Sequence, residues 1–456
     1  MHTPVAQGSA ELWYSDGSAG PLCEVDKADR DLEIYRPEVF QTIVEEIDRL
    51  DDELRALSLD IHEHPELKYE EHHAHDALTA FMEKYQWDIK KHHLLETAWI
   101  ATFSHGTGGR TLAVNSEMDA LPGIGHACGH NLIAIAGVAV ALAVKAAMIK
   151  HDISGKIDLS RLSSAEEGSA GKVTLLKKGA YDGVDACIMC HPAPGPIHGA
   201  SLSSTLAVKR IAVEYKGHGA HAALSPWEGT NALDASVAAY NNISLLRQQL
   251  KPTHRVHGIF EGKDMAPNII PDHSNMFWYV RAPAWAEVEV AAPRVKACFE
   301  AAALATGCKV VITEPSEPVF DIRQNKALGT MFGDTFRSKF GPIDYVFGIN
   351  GASSDFPLVC AMPGLHPGFS IPTVPNGGNH TPAFTAAAAS PEAHQACLDV
   401  SKALALTGVR VLADDDFFSQ VQLLPYPCLI VSSRLSGQQV KAAFEEDKER
   451  RAKILG

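Results

Sequence analysis

One short stretch of the sequence, DALPGIGHACGHN from Asp119 to Asn131, combines a carboxylate, a thiol and imidazole rings. Cys128 and His130 are separated there by a single glycine, and the long apolar run that follows them predicts a buried helix. Thiolate and imidazole together favour zinc or another first-row divalent ion, because magnesium and calcium prefer oxygen ligands. The stretch therefore predicts a metal site, but two ligands do not complete one, so the rest of the chain must supply others.

The missing ligands are expected at the ends of predicted strands. A strand over 111–115 leads towards Asp119, one over 156–162 leads to the pair Glu166 and Glu167, and one over 186–189 leads to His191. A later motif, NHTP, supplies His380. Since open α/β sheets place their sites beyond the ends of neighbouring strands, side chains far apart in sequence can converge there. These residues are therefore predicted to share one site.

The candidate residues divide into metal ligands and a proton acceptor. Five of them have the donor types to share one or two divalent ions, namely Cys128, His130, Glu167, His191 and His380. Glu166 is left beside a ligand, where it can take a proton from water whose pKa the metal has lowered. Two adjacent glutamates are ordinarily a surface feature, but here a predicted strand precedes the pair and glycines follow it.

The elements that position these residues predict an α/β fold with a central mixed sheet flanked by helices. At 456 residues the chain is too long for one ordinary core. We predict an N-terminal arm over 1–35 and a catalytic domain over 36–203 that resumes over 319–422. Between its two parts, 204–318 follows the order β-α-β-β-α-β of an inserted, ferredoxin-like α+β domain. A C-terminal extension over 423–456 begins with a proline-bearing stretch that interrupts a helical tail.

Near the start of the catalytic domain, apolar residues at three- and four-residue spacing from Phe40 to Leu57 predict one amphipathic helix. A second helix is predicted over 71–85. Several histidines near the junction lie among Glu and Lys, which favours a solvated face over a metal site: His62, His64, His72, His73 and His75.

The net charge of −15 excludes a general attraction to nucleic acid or to anionic membranes. No basic and then apolar leader is visible, and the apolar segment over 131–150 contains Lys145, which suits a core helix better than a membrane span. The nine scattered cysteines indicate reduced thiols and a cytoplasmic location. Cys187 and Cys190 form a CxxC motif, but their apolar neighbours favour buried thiols over zinc or redox chemistry.

Five motifs, in order, resemble the two-metal family of aminoacylases, carboxypeptidase G and related amidohydrolases, metallopeptidase family twenty. They are DALPGIGHACGHN, AEEGSAGK, HPAP, GHGAHAA and NHTP. The resemblance covers about residues 36–420, and the GIGHACGHN form resembles the aminoacylase-1-like branch of dipeptidases that act on β-alanyl and Xaa-Lys dipeptides. It implies a metallopeptidase catalytic domain, with an inserted domain that acts as a lid and joins two subunits in a homodimer.

The resemblance also implies a role for each matching residue. Glu166 is the general base and then the acid that protonates the leaving amine, while Asp119 orients a metal ligand. His221, in GHGAHAA, reaches the active site of the partner subunit and stabilises the oxyanion. Asn268 and Arg281 contact the backbone and the carboxylate of the substrate. His126 supports the site rather than binding a metal.

The expected activity is therefore metal-dependent hydrolysis of the amide bond in an N-acyl amino acid or small dipeptide, with zinc as the metal and manganese or cobalt as alternatives. Ser164, Ser169 and Ala170 depart from the family pattern around the glutamate pair, and EMD replaces the more frequent EYD, which leaves the substrate open. Two other functions stay open as well: an amide-forming or acyl-exchanging enzyme on the same site, and a non-catalytic metal-binding homologue. A structural zinc site fits less well, because such sites rarely carry a spare carboxylate.

Overall fold

The computed structural model describes residues 32–161, 172, 175–176, 178–262, 265–316, 319–345, 356 and 362–422. Glu166, Glu167 and the predicted extension over 423–456 lie outside these residues, as does most of the predicted N-terminal arm. The chain divides into two compact units. The first unit runs up to Ser203 and resumes at Arg323, and the inserted unit spans Ser204–Ile322.

The first unit begins with two helices, α1 (Pro37–Arg49) and α2 (Asp51–Glu63). The prediction of a single helix is wrong at Leu50, whose N–H bonds back to Ile47 O at 3.1 Å. That short-range bond closes α1, and the three acidic residues in the first turn of α2 lie where the helix dipole stabilises negative charge. Both parts of the apolar stripe are buried, so the pattern predicts the buried face but not the break.

Helix α3 (His72–Lys84) follows, and one of its histidines contradicts the predicted solvated face. His75 is only 2% exposed, and its Nδ1 lies 3.0 Å from the carbonyl oxygen of Thr97. His75 is therefore a buried structural residue, whereas His64 and His72 are exposed as predicted.

The main sheet of the first unit has six strands in the order β1-β2-β4-β3-β5-β13. Strand β3 pairs in parallel with β4 and β5, and β5 in parallel with β13, while β2 is antiparallel to β1 and β4. The sheet is mixed, as the sequence predicts. Its strands are β1 (Asp88–Lys91), β2 (Trp99–His105), β3 (Arg110–Ser116), β4 (Gly155–Arg161), β5 (Ala186–Ile188) and β13 (Gly364–Leu365).

A smaller sheet in the order β12-β7-β14-β6 also belongs to the first unit. Its strands are β6 (His191–Pro194), β7 (Ala200–Ser201), β12 (Ile343–Asp344) and β14 (Gly368–Ile371). The later helices of the unit are α7 (Lys326–Lys339), α8 (Pro382–Ala388), α9 (Pro391–Ala413) and α10 (Asp415–Gln422).

Helix α4 (His130–Lys150) lies at the centre of the first unit and packs against α9, α1 and β3. Gly137 allows the close approach to β3, because a Cβ there would lie 2.8 Å from the Cβ of Ser116. The hydroxyl of Ser116 donates to the carbonyl oxygens of Ile133 and Ala134 at 2.8 and 3.1 Å. Strand β3 and helix α4 are thus joined by direct contacts as well as by the chain between them.

Among the described residues, α4 is the one helix long and apolar enough to cross a membrane. However, 83% of its most apolar 18-residue window is buried inside the protein. Its residues are apolar on every side because it is surrounded by other elements, as in the centre of a large core.

The inserted unit has the element order β-α-β-β-α-β and an antiparallel sheet in the order β11-β8-β10-β9. Its core includes Trp278, Tyr215 and Phe299, and α5 is capped by Asn231, whose Oδ1 accepts from Leu233 N at 3.0 Å. The elements are β8 (Ala207–Lys216), α5 (Ala232–Leu246), β9 (Arg255–Glu261), β10 (His273–Ala282), α6 (Trp285–Thr306) and β11 (Lys309–Thr313).

Candidate metal centre

The loop between β3 and α4 brings Cys128 and His130 to the start of a buried helix. Gly129 between them has φ +76°, and a Cβ on it would lie 2.5 Å from Cγ of Pro192. Only glycine meets both conditions at low cost, because other residues are strained at positive φ and would also collide with Pro192. The glycine thereby lets the loop pass close to strand β6, which begins with His191.

Cys128 lies close to two histidines from distant parts of the chain, at separations that fit donor atoms sharing one metal ion. Its Sγ is 3.5 Å from Nε2 of His191 and 3.7 Å from Nε2 of His380. Zinc bonds of about 2.3 Å to sulfur and about 2.0–2.1 Å to nitrogen, at a tetrahedral angle, separate the two donor atoms by about 3.5 Å. The spacing therefore fits a bound metal ion. Cys128, His130 and His191 also offer donor atoms that all lie within 4.8 Å of one another.

The histidines are oriented by their second ring nitrogens. Nδ1 of His130 donates to Oδ1 of Asp119 at 2.7 Å, and Nδ1 of His191 donates to the carbonyl oxygen of Pro192 at 2.8 Å. Because these bonds occupy Nδ1, Nε2 of each ring is left to face the centre, which is the usual arrangement of a ligating histidine. The contact of Asp119 with His130 agrees with the orienting role that the resemblance implies.

His380 is held beside the centre by its backbone. It has φ +68°, and its N–H donates to the carbonyl oxygen of Ala127 at 2.9 Å. The next residue, Thr381, begins helix α8 as its N-cap. The late motif NHTP is thus tied directly to the loop that carries Cys128.

Two further charged residues belong to this region and are missing from the predicted site. Oε2 of Glu117 lies 3.4 Å from Nε2 of His130, and Glu117 forms an ion pair with Lys172. Both partners are fully buried. Glu117 directly follows β3 and stands two residues before Asp119. A carboxylate directly after a strand was the signal available in the sequence.

The charges that surround the two buried histidines, His130 and His126, shift their pKa values in opposite directions. Burial lowers the pKa of His130, but the negative charges of Asp119 and Cys128 outweigh it and raise that pKa well above its ordinary value. Burial and the neighbouring His130 instead lower the pKa of His126 to about 3, so His126 is neutral. Nε2 of His126 lies 3.0 Å from the carbonyl oxygen of Ile61, so the ring contacts the last part of α2, and its supporting role stays a prediction.

No protein-family model matches the chain. It is 41% identical over 382 residues to the Xaa-Arg dipeptidase of Mus musculus, covering 81% of this chain and 88% of the relative, and 39% identical over 391 residues to the human Xaa-Arg dipeptidase, covering 80% and 87%. Its fold resembles a dinuclear metal-binding peptidase of the M20 family from Bacillus subtilis, with a TM-score of 0.62, 21% identity, and coverage of 80% of this chain and 99% of that one.

The chain belongs to the M20 family of metallopeptidases. It is therefore a metal-dependent amidohydrolase, and the predicted fold of a catalytic domain with an inserted α+β domain is confirmed. The donor set and the relatives support divalent metal ions in the centre.

In this M20 enzyme the inserted unit carries the remaining predicted residues. His221 and Asn268 lie on neighbouring exposed segments, since Ala222 N donates to the carbonyl oxygen of Asn268 at 2.9 Å. Arg281 lies on β10, and its Nε contacts Nε2 of His257 at 3.2 Å. Burial, opposed by Tyr279, lowers the pKa of Arg281. The roles of these three residues, like those of Glu166 and Glu167 outside the described residues, stay predictions.

The CxxC motif lies in the interior of the first unit. Cys187 and Cys190 are both buried, and burial raises the pKa of the Cys190 thiol well above its ordinary value. A buried, protonated thiol is a poor nucleophile, which agrees with the predicted structural role.

Proposed function

We propose that this enzyme hydrolyses the peptide bond of dipeptides that end in a basic residue, of the Xaa-Arg or Xaa-Lys class. The convergence of Cys128, His191 and His380 at metal-ligand spacing carries the proposal, because it supports a catalytic metal centre at these residues. The relatives named Xaa-Arg dipeptidases support the substrate class. None of these observations favours the amide-forming or non-catalytic alternatives.

The centre would be held by Cys128, His130, His191 and His380, with Glu167 as a further ligand. We propose zinc as the metal, with manganese or cobalt as substitutes, since a thiolate donor favours zinc. When bound, a divalent ion would lower the pKa of water and polarise the scissile carbonyl. Asp119 keeps the His130 ring in the orientation that ligation needs.

Glu166 would move the proton during the reaction. As a carboxylate it takes a proton from the attacking water and then delivers it to the amine that leaves. Water attacks directly, so no covalent acyl-enzyme forms.

His221 would stabilise the negative charge on the carbonyl oxygen. Its Nδ1 accepts hydrogen bonds from Ala223 N and Leu224 N at 3.2 and 3.1 Å. In the neutral ring the proton then lies on Nε2, which makes that nitrogen a hydrogen-bond donor of the kind an oxyanion requires. Asn268, on the neighbouring segment, and Arg281 would bind the backbone and carboxylate of the substrate.

We also propose that the enzyme is a homodimer joined through the inserted unit. Strand β9 is an edge strand, and Ile259 on it is 60% exposed. Leu224, Trp227 and Leu245 in the same unit are 73%, 78% and 74% exposed. Exposed edges and large apolar side chains in one unit favour association. A cytoplasmic location is proposed from the free thiols of the described cysteines.

The proposal is tested with a panel of dipeptides on enzyme reconstituted with zinc, manganese or cobalt. The panel contains Xaa-Arg, Xaa-Lys, β-alanyl-Lys and Xaa-Glu dipeptides and N-acetyl amino acids. We expect cleavage of the basic dipeptides and a loss of about 10²–10⁴-fold in kcat for Glu166→Ala with its metal content unchanged. Equal cleavage of Xaa-Glu would reject the substrate class, and full activity of Glu166→Ala would reject the mechanism.

A further inference from the structure

A second group of metal-ligating side chains lies outside the catalytic centre, where α2 ends and α3 begins. Asp60 and His64 are one helical turn apart at the end of α2, and His73 is in the first turn of α3. Each offers a ligand atom, and these atoms all lie within 4.8 Å of one another. We propose that Asp60, His64 and His73 form a second metal site, which binds a zinc-like divalent transition metal and joins α2 to α3.

The carboxylate of Asp60 faces both rings. Its Oδ2 is 2.9 Å from Nε2 of His73, and its Oδ1 is 3.3 Å from Nδ1 of His64. The same Nδ1 also lies 2.8 Å from the backbone carbonyl oxygen of Asp60, which leaves Nε2 of His64 to face an ion. The centroids of the two imidazoles are 4.2 Å apart. Two imidazoles and one carboxylate are the protein ligands of open zinc sites, in which water completes the coordination shell.

The group is reached from solvent. The side chains of His64, Asp60 and His73 are 54%, 41% and 40% exposed. An ion can therefore enter without any rearrangement of the core, unlike an ion that binds the buried Cys128. The exposed position also predicts weaker binding than at the catalytic centre, because water competes for the ligands.

The site is preorganised by the backbone of α3. The carboxylate of Glu66 accepts from His73 N at 2.8 Å and from Ala74 N at 3.0 Å, which satisfies two free N–H groups of the first turn. These bonds fix the start of α3, and hence the position of His73, without any help from the imidazole. The side chain of His73 is thus available as a ligand rather than being needed for the fold.

The chain between the ligands touches the catalytic loop. Leu67 forms a parallel β-bridge with Ala120, and Ala120 N donates to the carbonyl oxygen of Glu66 at 2.7 Å. Ala120 directly follows Asp119, which orients His130. An ion held by His64 and His73 closes the segment 64–73 into a loop and so stiffens one support of the catalytic centre.

The test counts bound zinc in the full-length enzyme. The catalytic centre is first loaded at low, buffered free zinc, and the free zinc is then raised while bound metal is measured by equilibrium dialysis and atomic emission. Wild type is expected to gain about one further ion per chain, and His73→Gln and His64→Gln to gain none. The apparent unfolding temperature of wild type should rise by about 2–5 °C in the same step.

His72→Gln is the matched control, because His72 precedes His73 on the same helix but faces Glu70, with 3.6 Å between Nε2 and Oε2. It is expected to gain the further ion like wild type. Unchanged activity of the two His→Gln variants at low zinc shows that they fold and keep the catalytic metal. If His73→Gln and His64→Gln gain as much zinc as wild type, or if wild type gains none, the second site does not exist.

Discussion

The metal centre and the loop that carries His221 differ in how their side chains are held. Cys128, His130 and His191 are at most 7% exposed, and the two imidazoles are oriented by a carboxylate and a carbonyl. His221 is exposed, and its ring is held by two backbone N–H groups that follow it in sequence.

This difference predicts that substitutions in the two regions have different effects. A centre built from buried, mutually oriented groups fixes the chemistry, because a shift of one ligand disturbs several others. A side chain on an exposed loop can be changed at little cost to the fold. We therefore expect changes in the loop to alter the rate or the substrate preference without altering metal content. Changes in the centre should instead lower metal affinity, and the rate with it.

The strongest test of this separation is His221→Ala. If His221 is the proposed oxyanion donor, its loss should lower kcat by about 10²–10³-fold, while metal content and unfolding temperature stay at wild-type values. His221→Gln, which keeps a side-chain donor, should recover part of the rate, and His273→Ala, an exposed histidine elsewhere in the inserted unit, should have no effect. Steady-state kinetics and metal analysis measure these outcomes. A loss of metal in His221→Ala would break the separation.

Gly129→Ala tests the rigidity of the centre. The new methyl group meets Pro192 at 2.5 Å and the residue keeps a positive φ, so the free energy of unfolding should fall by about 2–4 kcal/mol and metal affinity should fall with it. Gly123→Ala is the control, because Gly123 has φ +75° but no atom within 4 Å of the added Cβ.

The control should therefore lose only the roughly 1–2 kcal/mol of the backbone strain. Chemical denaturation of both variants isolates the contact with Pro192. Equal losses would show that strand β6 moves away from the loop at little cost.

Asp119→Asn tests how the buried metal centre depends on the carboxylate that contacts His130. The amide still contacts His130 but carries no charge, so metal affinity should fall by about 10–100-fold. The ratio of rates on Xaa-Arg and Xaa-Lys substrates should stay the same once metal is in excess. Asp152→Asn, at a fully surface position with its carboxylate 94% exposed, should bind metal like wild type. Titration with zinc in a competing chelator gives both affinities, and a changed substrate ratio would contradict the assignment.

Glu71 gives the smallest effect and depends on pH. Burial, opposed by the Thr97 hydroxyl, raises its pKa from 4.5 to about 7. Between pH 4.5 and 7 the folded protein thus holds a proton that the unfolded chain has released, so the stability contribution of Glu71 falls as pH rises through this window. Glu71→Gln has no carboxyl group to titrate. From pH 5 to pH 8, the free energy of unfolding should therefore decrease by about 1–3 kcal/mol less in this variant than in wild type. Urea denaturation at several pH values measures the two slopes, and parallel slopes would refute the buried proton.

The sequence predicts those parts of this enzyme whose signal is local. The spacing of Cys128 and His130 before an apolar run identifies the centre, and the strands and helices of the inserted unit follow from short periodic patterns. The break at Leu50 was missed because the apolar stripe continues through it, while the hydrogen bond to Ile47 that closes α1 leaves no mark on that stripe.

Contacts between distant residues were the least predictable. His75 looks like its exposed neighbours in sequence, and only the carbonyl of Thr97 shows why it is buried. The ion pair of Glu117 with Lys172 likewise joins two residues that are far apart in the sequence. Whether a polar side chain can be buried depends on its hydrogen-bond partner, and a single sequence does not show which residue that partner is.

Because Gly137 contacts Ser116, the segment from β3 through α4 forms one structural unit. The contact between β3 and α4 fixes the two ends of the loop that carries Asp119, Cys128 and His130. Transplanting residues 110–150 into another α/β sheet would carry two of the five proposed metal ligands, together with Asp119, which contacts His130. In such a graft, replacement of Gly137 by a larger residue would push α4 away from Ser116 and so shift one end of the loop.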